Sequence, residues 1–461
     1  MAADIVRRLQ DAGFSAFWVG GCVRDFLLGR EPGDYDIATA ALPEQIEALF
    51  DRTIAVGRKF GVVVVVQGKL QFQVATFRAE DDYRDGRHPG KVSFGDAQGD
   101  ALRRDFTVNG LFYDPVTEKL HDWVGGEADL QSRVIRTIGA PEERFAEDHL
   151  RLLRAVRFAA RLDFQIEPKT FAAIQKLAVK IRSISAERIR DELLKLFAPP
   201  SFGVPPSGGS GVGRGQPPEG GTPNAPAAAR GLELLRESGL LEHVLPEVAA
   251  TITCEQSPDY HPEGSVFAHL VLMLGHLPAD ADPLLAWAVL MHDIAKPLTA
   301  SRDPATGSIH FYEHEKLGAE MAAQILARLR FPRKQIEDVA KAVRYHMQFK
   351  DAPQMRKATL RRLLLRPTFP LELALHRLDC LGSHGRLDVY EFLKAEAEAL
   401  KHQPQIRPPL LTGDDLIKLG MKPGPAMGKL LAEIREQQLA DELKTKTAAK
   451  TWARRKLAEV N

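Results

Sequence analysis

The sequence of 461 residues has few cysteines, no long apolar run and almost no net charge. Its three cysteines, Cys22, Cys254 and Cys380, form no CxxC pair. They therefore predict no disulfide framework and indicate a reducing, cytoplasmic location. No apolar run approaches the roughly 20 residues of a membrane-spanning helix. The N-terminal residues have an amphipathic pattern rather than that of a signal peptide, so we expect no membrane partner.

The charge balance excludes a uniformly basic nucleic-acid-binding chain. Lysine and arginine number 62, aspartate and glutamate 61, and the formal net charge is +1. Any surface that binds RNA must therefore be local, with its basic residues clustered. The length predicts two to four domains, and a hydrophobic content of 44% is enough to give each of them a core.

Residues 17–36 contain the strongest local signal. A short apolar strand is followed by Gly20 and Gly21, then by a predicted helix that Gly29 ends. A glycine turn before a helix N-terminus offers free N–H groups to an anion. Asp34 and Asp36 follow in an extended stretch, where period two predicts both carboxylates on one face. Such a pair suits divalent metal ions in phosphoryl transfer.

Residues 102–110 (LRRDFTVNG) form a second charged stretch. The planar guanidinium of Arg104 can pair with triphosphate oxygens as a fork. Asp105 and Asn109 are candidates for holding ribose hydroxyls or for orienting the loop.

Residues 147–158 (EDHLRLLRAVRF) predict a helix. Arg151, Arg154 and Arg157 recur every three residues, and Asp148 lies three residues before the first of them. This spacing predicts one helix face with three guanidiniums and a carboxylate.

Together these stretches resemble the signatures of nucleotidyltransferases that add CCA to tRNA and of bacterial poly(A) polymerases. The resemblance implies an α+β fold: a head with a mixed sheet, then an all-α neck, an HD helical domain and a helical tail. It implies that Asp34 and Asp36 are the catalytic residues and bind Mg²⁺. The implied nucleotide-binding residues are Gly20, Gly21, Arg24, Arg104, Asp105, Asn109, Asp148, Arg151, Arg154 and Arg157.

By the same resemblance, Asp148 and Arg151 pair with the edge of the incoming base. A carboxylate accepts from an exocyclic amine and a guanidinium donates to an acceptor. Cytosine and adenine both present an amine beside an acceptor nitrogen, so one pair can accept both. One departure concerns Gln73, which stands where many relatives carry a glutamate. The head would then have two acids rather than three for its metals.

A second chemistry is predicted after residue 261, where histidines and aspartates occur inside apolar helices. Neither residue type belongs there without a partner, and such residues on facing helices are typical of a metal-binding bundle. The set resembles the HD phosphohydrolase superfamily, with a divalent transition metal as its implied cofactor. The candidate ligands are His269, His292, Asp293, His314, His346 and Asp379.

The predicted domains are the head (1–140), a neck with the base-reading helix (141–198), a neck continuation (231–260), the HD domain (261–400) and a tail (401–461). Residues 199–230 are rich in Pro, Gly, Ser and Ala, which predicts a disordered insertion. Basic residues near the C-terminus predict contact with the tRNA backbone. They are Lys444, Lys446, Lys450, Arg454, Arg455 and Lys456.

The sequence thus predicts a template-independent RNA 3′-nucleotidyltransferase that adds C, A or both to tRNA 3′ ends from CTP and ATP, with HD phosphohydrolase activity as a further possibility. Two alternatives remain open at this stage. One is a poly(A) polymerase that uses ATP alone on other RNA 3′ ends. The other is a metal phosphohydrolase whose head only binds RNA. The sequence leaves the oligomeric state undetermined.

Overall fold

The structure is a computed structural model that describes residues 1–54, 61–78, 94–199, 227–257, 261–402 and 408–460. The chain divides into two compact units. Unit 1 comprises Met1–Ala249 with Leu277–Ala281, and unit 2 comprises Ala250–His276 with Asp282–Asn461. The predicted boundaries of the individual domains stay predictions.

The head of unit 1 is built on a mixed sheet with the strand order β3-β4-β5-β2-β1-β6-β7 among the described residues. Only β2 and β5 pair in parallel, and the other neighbours are antiparallel. The strands are β1 (Ala16–Val19), β2 (Asp36–Thr39), β3 (Thr53–Ile54), β4 (Val62–Gln67), β5 (Leu70–Thr76), β6 (Phe112–Asp114) and β7 (Lys119–His121). The helices are α1 (Ala2–Asp11), α2 (Gly21–Leu27), α3 (Pro43–Leu49), α4 (Ala97–Leu102) and α5 (Gly126–Gln131).

Each face of this sheet covers its own core. Ile37 of β2 packs in a cluster with residues of α1 and α3, whereas Ala38 packs on the opposite side with Ala101 of α4. Since side chains alternate along a strand, Asp36 shares the face of Ala38. Asp36 therefore lies on the side of the sheet where α4 and the second charged stretch pack.

The neck continues unit 1 with helices and one short parallel strand pair, β8 with β9. The strands are β8 (Val134–Ile135) and β9 (Gln165–Ile166). The helices are α6 (Pro141–Glu147), α7 (Leu150–Leu162), α8 (Pro168–Leu177), α9 (Ala186–Phe197), α10 (Ala227–Glu237), α11 (Leu241–Val244) and α12 (Pro246–Ala249), with a 3₁₀ segment at Ala178–Ser183.

Two sequence predictions for the neck were wrong in detail. The helix expected over residues 147–158 is broken, because Asp148 has an extended backbone and α7 begins at Leu150. Asp148 therefore does not share a helix face with the arginines. The insertion was predicted to extend to residue 230, but residues 227–230 belong to α10, which begins at Ala227. Residues 200–226 lie outside the described part of the chain.

Unit 2 holds the helices of the predicted HD domain and tail. The helices are α13 (Val266–Gly275), α14 (Pro283–His292), α15 (Lys296–Thr299), α16 (His314–Arg328), α17 (Arg333–Tyr345), α18 (Lys357–Leu364), α19 (Phe369–Gly382), α20 (Asp388–Lys401), α21 (Gly413–Ile417), α22 (Pro425–Leu439) and α23 (Lys446–Val460). Strands β10 (Ala300–Arg302) and β11 (Ile309–Phe311) form a hairpin. Helices α21–α23 bury a separate apolar cluster that includes Leu416, Leu430 and Ala453.

The α+β class, the mixed sheet and the helical regions that follow it confirm the predicted fold class. The hairpin predicted around Gly68 is also present, as β4 and β5. Among the described helices, none combines the length and apolar character that crossing a bilayer requires.

A buried carboxylate joins two helices of the neck. Glu192 of α9 is 4% exposed, and its Oε2 accepts a hydrogen bond from Arg157 Nε of α7 at 2.6 Å. Arg154 Nη1 lies 3.8 Å from the other carboxylate oxygen. Arg157 and Glu192 are thus largely removed from water together, and each compensates the charge of the other.

Replacing Glu192 by alanine should destabilise unit 1 by about 3–5 kcal/mol, because it leaves the largely buried guanidinium of Arg157 without its carboxylate partner. Calorimetry on the full chain should show the melting temperature of that unit falling by at least about 6 °C. Asp191→Asn is the matched control, since Asp191 is on the same helix, is exposed and pairs with Arg190. Equal melting temperatures of unit 1 in the two variants would contradict the structural role of Glu192.

Candidate functional site

The two aspartates of the first stretch lie close together, but only one is in a strand. Asp36 begins β2, whereas Asp34 lies in the bend before it. The prediction of a shared strand face was therefore wrong for Asp34. Burial and the negative charge of Asp34 raise the pKa of Asp36, and Arg104 opposes the shift. Gln73 of β5 pairs directly with Asp36 in the parallel register. The glutamine that replaces the glutamate of many relatives therefore lies beside the acids.

The acid pair fits a hard divalent cation. In the described part of the chain, neither carboxylate makes a hydrogen bond or an ion pair with another side chain. Two adjacent carboxylates that lack a cationic partner of their own are the oxygen ligands that Mg²⁺ uses in phosphoryl-transfer sites. Asp34 and Asp36 are thus suited to hold metal, with Gln73 as a neutral neighbour.

Arg104 of the second stretch lies over the glycine turn of the first. A side chain at Gly20 would place its Cβ only 2.7 Å from Arg104 Nη1, and Gly20 has φ +75°. Glycine is therefore required here for both space and backbone conformation. Asp100 Oδ2 accepts from Arg104 Nη2 at 3.0 Å and holds the guanidinium in place. Sequence reasoning missed Asp100, which belongs to none of the motifs.

A chain of polar contacts leads from α2 to the neck. Arg24 Nη1 donates to Asn109 Oδ1 at 2.7 Å, and Asn109 Nδ2 donates to Asp105 Oδ1 at 3.3 Å. Arg154 Nη2 lies 2.6 Å from Asp105 Oδ2. Burial opposes the charge of Asp105, but Arg154 outweighs it and holds the pKa of Asp105 below its usual value. The residues of three separate stretches thus form one connected site.

An aromatic ring strengthens this connection. The guanidinium carbons of Arg24 and Arg154 each lie 5.3 Å from the centre of the Phe158 ring, and that of Arg157 lies 4.0 Å from it. Cations within about 6 Å of an aromatic face are attracted to it. The Phe158 ring of α7 therefore contacts one arginine of the head and two of the neck.

Asp148 and Arg151, the predicted base-reading pair, are each held by another side chain. Asp148 Oδ2 accepts from Arg188 Nη2 of α9 at 2.6 Å, and its other oxygen accepts from the backbone N–H of Leu150. Arg151 pairs with Glu147 and donates to the backbone oxygen of Arg144 at 2.9 Å. Both members of the pair are therefore oriented before any base is present.

The six candidate ligands of the HD domain converge in unit 2. His269 Nε2 lies 3.1 Å from Asp379 Oδ1. His314 Nε2 lies 3.2 Å from His346 Nε2 and 3.4 Å from Asp293 Oδ1. The ring of His292 lies 5.5 Å from that of His269 and 5.3 Å from that of His346. Residues from α13, α14, α16 and α19 thus meet at one centre with Asp293 and His346, which directly follow α14 and α17.

Hydrogen bonds orient the imidazoles of this centre. Nδ1 of His292, His314 and His346 lies within 2.6–2.8 Å of the backbone oxygen three residues earlier. This contact leaves each Nε2 directed at the centre, as in metal-ligating histidines. His292 Nε2 is buried and lies 3.1 Å from Asp293 Oδ2, which faces the same centre. The imidazole nitrogens and carboxylate oxygens gathered here fit a divalent transition metal.

The electrostatics of the centre keep one carboxylate charged and one imidazole neutral, whereas the burial of His269 is outweighed by the carboxylates beside it, which raise its pKa to about 10. Burial opposes the charge of Asp293, but neighbouring His292 and Lys296 hold its pKa well below the usual value. Burial and His292 lower the pKa of His346 to about 3, which keeps its imidazole neutral. Lys296 Nζ lies 2.7 Å from Asp293 Oδ2. Sequence reasoning missed Lys296, which begins α15, although its place three residues after Asp293 and next to apolar residues was a signal.

The basic cluster of the tail is partly neutralised. Lys446 and Lys450 lie 2.8 and 3.8 Å from Asp415 Oδ1, so they hold α21 and α23 together. Lys444 and Arg454 are exposed.

Three family models match separate parts of the chain. The Poly A polymerase head domain matches residues 16–136. The Probable RNA and SrmB-binding site of polymerase A matches residues 163–202. The HD domain matches residues 265–381. The matches fall on the head, on the neck and on the helices that carry the histidines.

Individual proteins give the same result. A CCA-adding enzyme of Staphylococcus aureus (strain MRSA252) is 45% identical over 197 residues, which are 42% of this chain and 49% of that protein. The chain thus spans about half the length of the curated relatives that it matches. The crystal structure of Bacillus stearothermophilus CCA-adding enzyme in complex with CTP aligns over 100% of this chain and 97% of its own, with 27% identity and a TM-score of 0.71.

A Thermotoga maritima CCA-adding enzyme complexed with tRNA_CCA, at 18% identity and a TM-score of 0.51, covers 100% of this chain and 95% of its own and shares the fold. Separate parts of the chain thus match the Poly A polymerase head domain, a Probable RNA and SrmB-binding site of polymerase A and the HD domain, and the chain as a whole resembles the CCA-adding enzyme of Bacillus stearothermophilus.

Proposed function

We propose that the chain is a template-independent RNA 3′-nucleotidyltransferase that adds C, A or both to tRNA 3′ ends from CTP and ATP. The observation that carries this proposal is the connected site of unit 1. Asp34 and Asp36 lie beside Arg104, and the Arg24–Asn109–Asp105–Arg154 contacts join the head to the neck. The resemblance to a CCA-adding enzyme in complex with CTP supports the nucleotide class.

The roles of the head residues follow from their geometry. Mg²⁺ held by Asp34 and Asp36 would supply activation of the RNA 3′-hydroxyl and neutralise charge on the leaving pyrophosphate. Arg104, fixed by Asp100, would present its fork to triphosphate oxygens. The glycine turn of Gly20 and Gly21 leaves room for phosphates beside it. Gln73 would orient one of the ligands through neutral hydrogen bonds.

Base choice would depend on Asp148 and Arg151. Arg188 orients Asp148, and Glu147 orients Arg151. The pair therefore presents a fixed acceptor and a fixed donor. Cytosine and adenine can meet this pattern, whereas uracil and guanine cannot. A single pair would then serve both CTP and ATP.

The RNA itself would be held by local basic surfaces. The neck carries the match to a probable RNA-binding site, and the tail exposes Lys444 and Arg454. We further propose that the enzyme works in a reducing cytoplasm, because Cys22, Cys254 and Cys380 are buried free thiols.

A second candidate activity is metal-dependent phosphoester hydrolysis at the HD centre. The convergence of buried imidazole and carboxylate groups supports it, with His292 Nε2 at 3.1 Å from Asp293 Oδ2. Nickel, cobalt or manganese would suit these mixed nitrogen and oxygen donors.

Replacing Asp36 by asparagine should abolish nucleotide incorporation, because the metal pair loses a charged ligand beside the neutral Gln73. The measurement is extension of a labelled tRNA that ends at the discriminator base, together with circular dichroism to verify the fold. Asp51→Asn, at an exposed position of the head, serves as the control. Wild-type extension by folded Asp36→Asn would sink the assignment of the catalytic acids.

Each nucleotide offered alone to the same tRNA should separate the candidate functions. We expect incorporation of C from CTP. Incorporation from ATP alone on many RNA 3′ ends would instead indicate a poly(A) polymerase. No transfer from any nucleotide, with phosphoesterase activity present, would leave the head as an RNA-binding module.

Replacing Arg188 by alanine should weaken base discrimination, because the carboxylate of Asp148 loses the partner that orients it. Incorporation of U and G relative to C and A should rise about 5–150-fold, the equivalent of 1–3 kcal/mol per base contact. Single-turnover rates with each nucleotide give this ratio. Arg190→Ala, on the same helix, should keep wild-type discrimination, and the same discrimination in Arg188→Ala would rule out the proposed orientation.

Replacing His292 by alanine should remove metal-dependent hydrolysis of bis(p-nitrophenyl) phosphate while tRNA extension persists. The measurement is p-nitrophenol release with Ni²⁺, Co²⁺ or Mn²⁺. His276→Ala is the control, because His276 is exposed at the end of α13. Hydrolysis that survives in His292→Ala would place the activity elsewhere.

A further inference from the structure

One histidine of the HD centre is oriented differently from the other three. Nδ1 of His292, His314 and His346 meets a backbone carbonyl of its own segment. Nδ1 of His269 lies 2.8 Å from a carboxylate oxygen, Glu263 Oε1. A backbone oxygen, that of Gly382, is farther away at 3.3 Å. Nδ1 of His269 is therefore within hydrogen-bond distance of a carboxylate, whereas the carboxylate beside Nδ1 of His314, that of Glu315, is 4.0 Å away.

Glu263 is built into its position. Its side chain is 6% exposed, and it lies in the segment that leads into α13. This segment is held by the bridge between Glu255 and Ser265 and by the hydrogen bond from Gln256 N–H to the oxygen of Gly264. Burying a carboxylate is costly unless it is compensated. Its contacts with imidazoles supply that compensation.

The carboxylate has two imidazole neighbours and one unused oxygen. His261 Nδ1 also lies 2.8 Å from Glu263 Oε1. Glu263 Oε2 is buried and lacks a hydrogen-bond partner in the part of the chain that the structure describes. One carboxylate oxygen, Oε1, therefore faces both His261 and His269.

His261, Glu263 and His269 are close enough to suggest a separate metal site. The geometry of His269 argues against this reading. Its Nε2 already faces the centre, 3.1 Å from Asp379 Oδ1. A second ion on Nδ1 would require both nitrogens of one ring to be deprotonated. A carboxylate that accepts the Nδ1 proton instead leaves the Nε2 lone pair directed at the centre.

We propose that Glu263 is a positioning residue of the HD metal centre. It accepts the Nδ1–H of His269, fixes the ring and its tautomer, and makes Nε2 a stronger metal ligand. This inference rests on the proposed binding of metal at the HD centre. Glu263 is not one of the six candidate ligands of that centre.

The test is Co²⁺ binding by the metal-stripped full chain, followed by competition with a chelating dye and by the visible absorption of the bound ion. Glu263→Ala should raise the Kd for Co²⁺ about 10–100-fold. Glu263→Gln keeps an oxygen that can accept the Nδ1 proton, so its Kd should lie between those of the wild type and of Glu263→Ala. Glu255→Gln, an exposed glutamate of the same segment, should bind as the wild type does.

Thermal unfolding with and without Co²⁺ separates positioning from packing. A positioning role predicts that Glu263→Ala and Glu263→Gln lose part of the metal-induced rise in melting temperature. Wild-type Co²⁺ affinity and absorption in both variants, while His292→Ala fails to bind, would overturn the role of Glu263 but leave the metal centre intact. If the unsubstituted chain bound no Co²⁺, both the centre and this inference would fall.

Discussion

The site of unit 1 depends on the ion pair between the buried Asp105 and the half-buried Arg154. The carboxylate of Asp105 could not stay charged in the interior alone, since an isolated buried ion costs several kcal/mol. The pair joins two parts of the chain, because Asp105 belongs to the segment that follows α4 and Arg154 belongs to α7. The proposed phosphate-binding side chains of the head and the proposed base-reading pair of the neck keep their spacing because these two groups meet.

The sequence predicted the elements whose signals are local. The glycine turn, the β4–β5 hairpin and the arginine helix each depend on neighbours within about ten residues. The break at Asp148 was not predictable in this way, because residues 147–158 have continuous helical propensity. What accompanies the break is Arg188, 40 residues later, and a partner at that distance leaves no local pattern. Tertiary contacts override propensity at such positions.

The candidate HD ligands and Glu263 differ in the same way. His292 and Asp293 were visible from the sequence because polar side chains are out of place on an apolar helix. Glu263 lies in a polar segment, where a glutamate needs no explanation. Its burial against His269 appears only once α13 and its leading segment are folded. Supporting residues of this kind follow from the three-dimensional arrangement and not from residue type.

The near-zero net charge also has a structural explanation. The arginines of the site have acidic partners: Arg24 with Asp25, Arg104 with Asp100, Arg151 with Glu147, Arg154 with Asp105 and Arg157 with Glu192. These acids hold each guanidinium in one orientation at the cost of part of its long-range field. Such a site is suited to recognise the proposed nucleotide by fixed geometry. Attraction of the proposed RNA substrate at a distance would then depend on surfaces without such partners, so a balanced net charge is compatible with the proposed function.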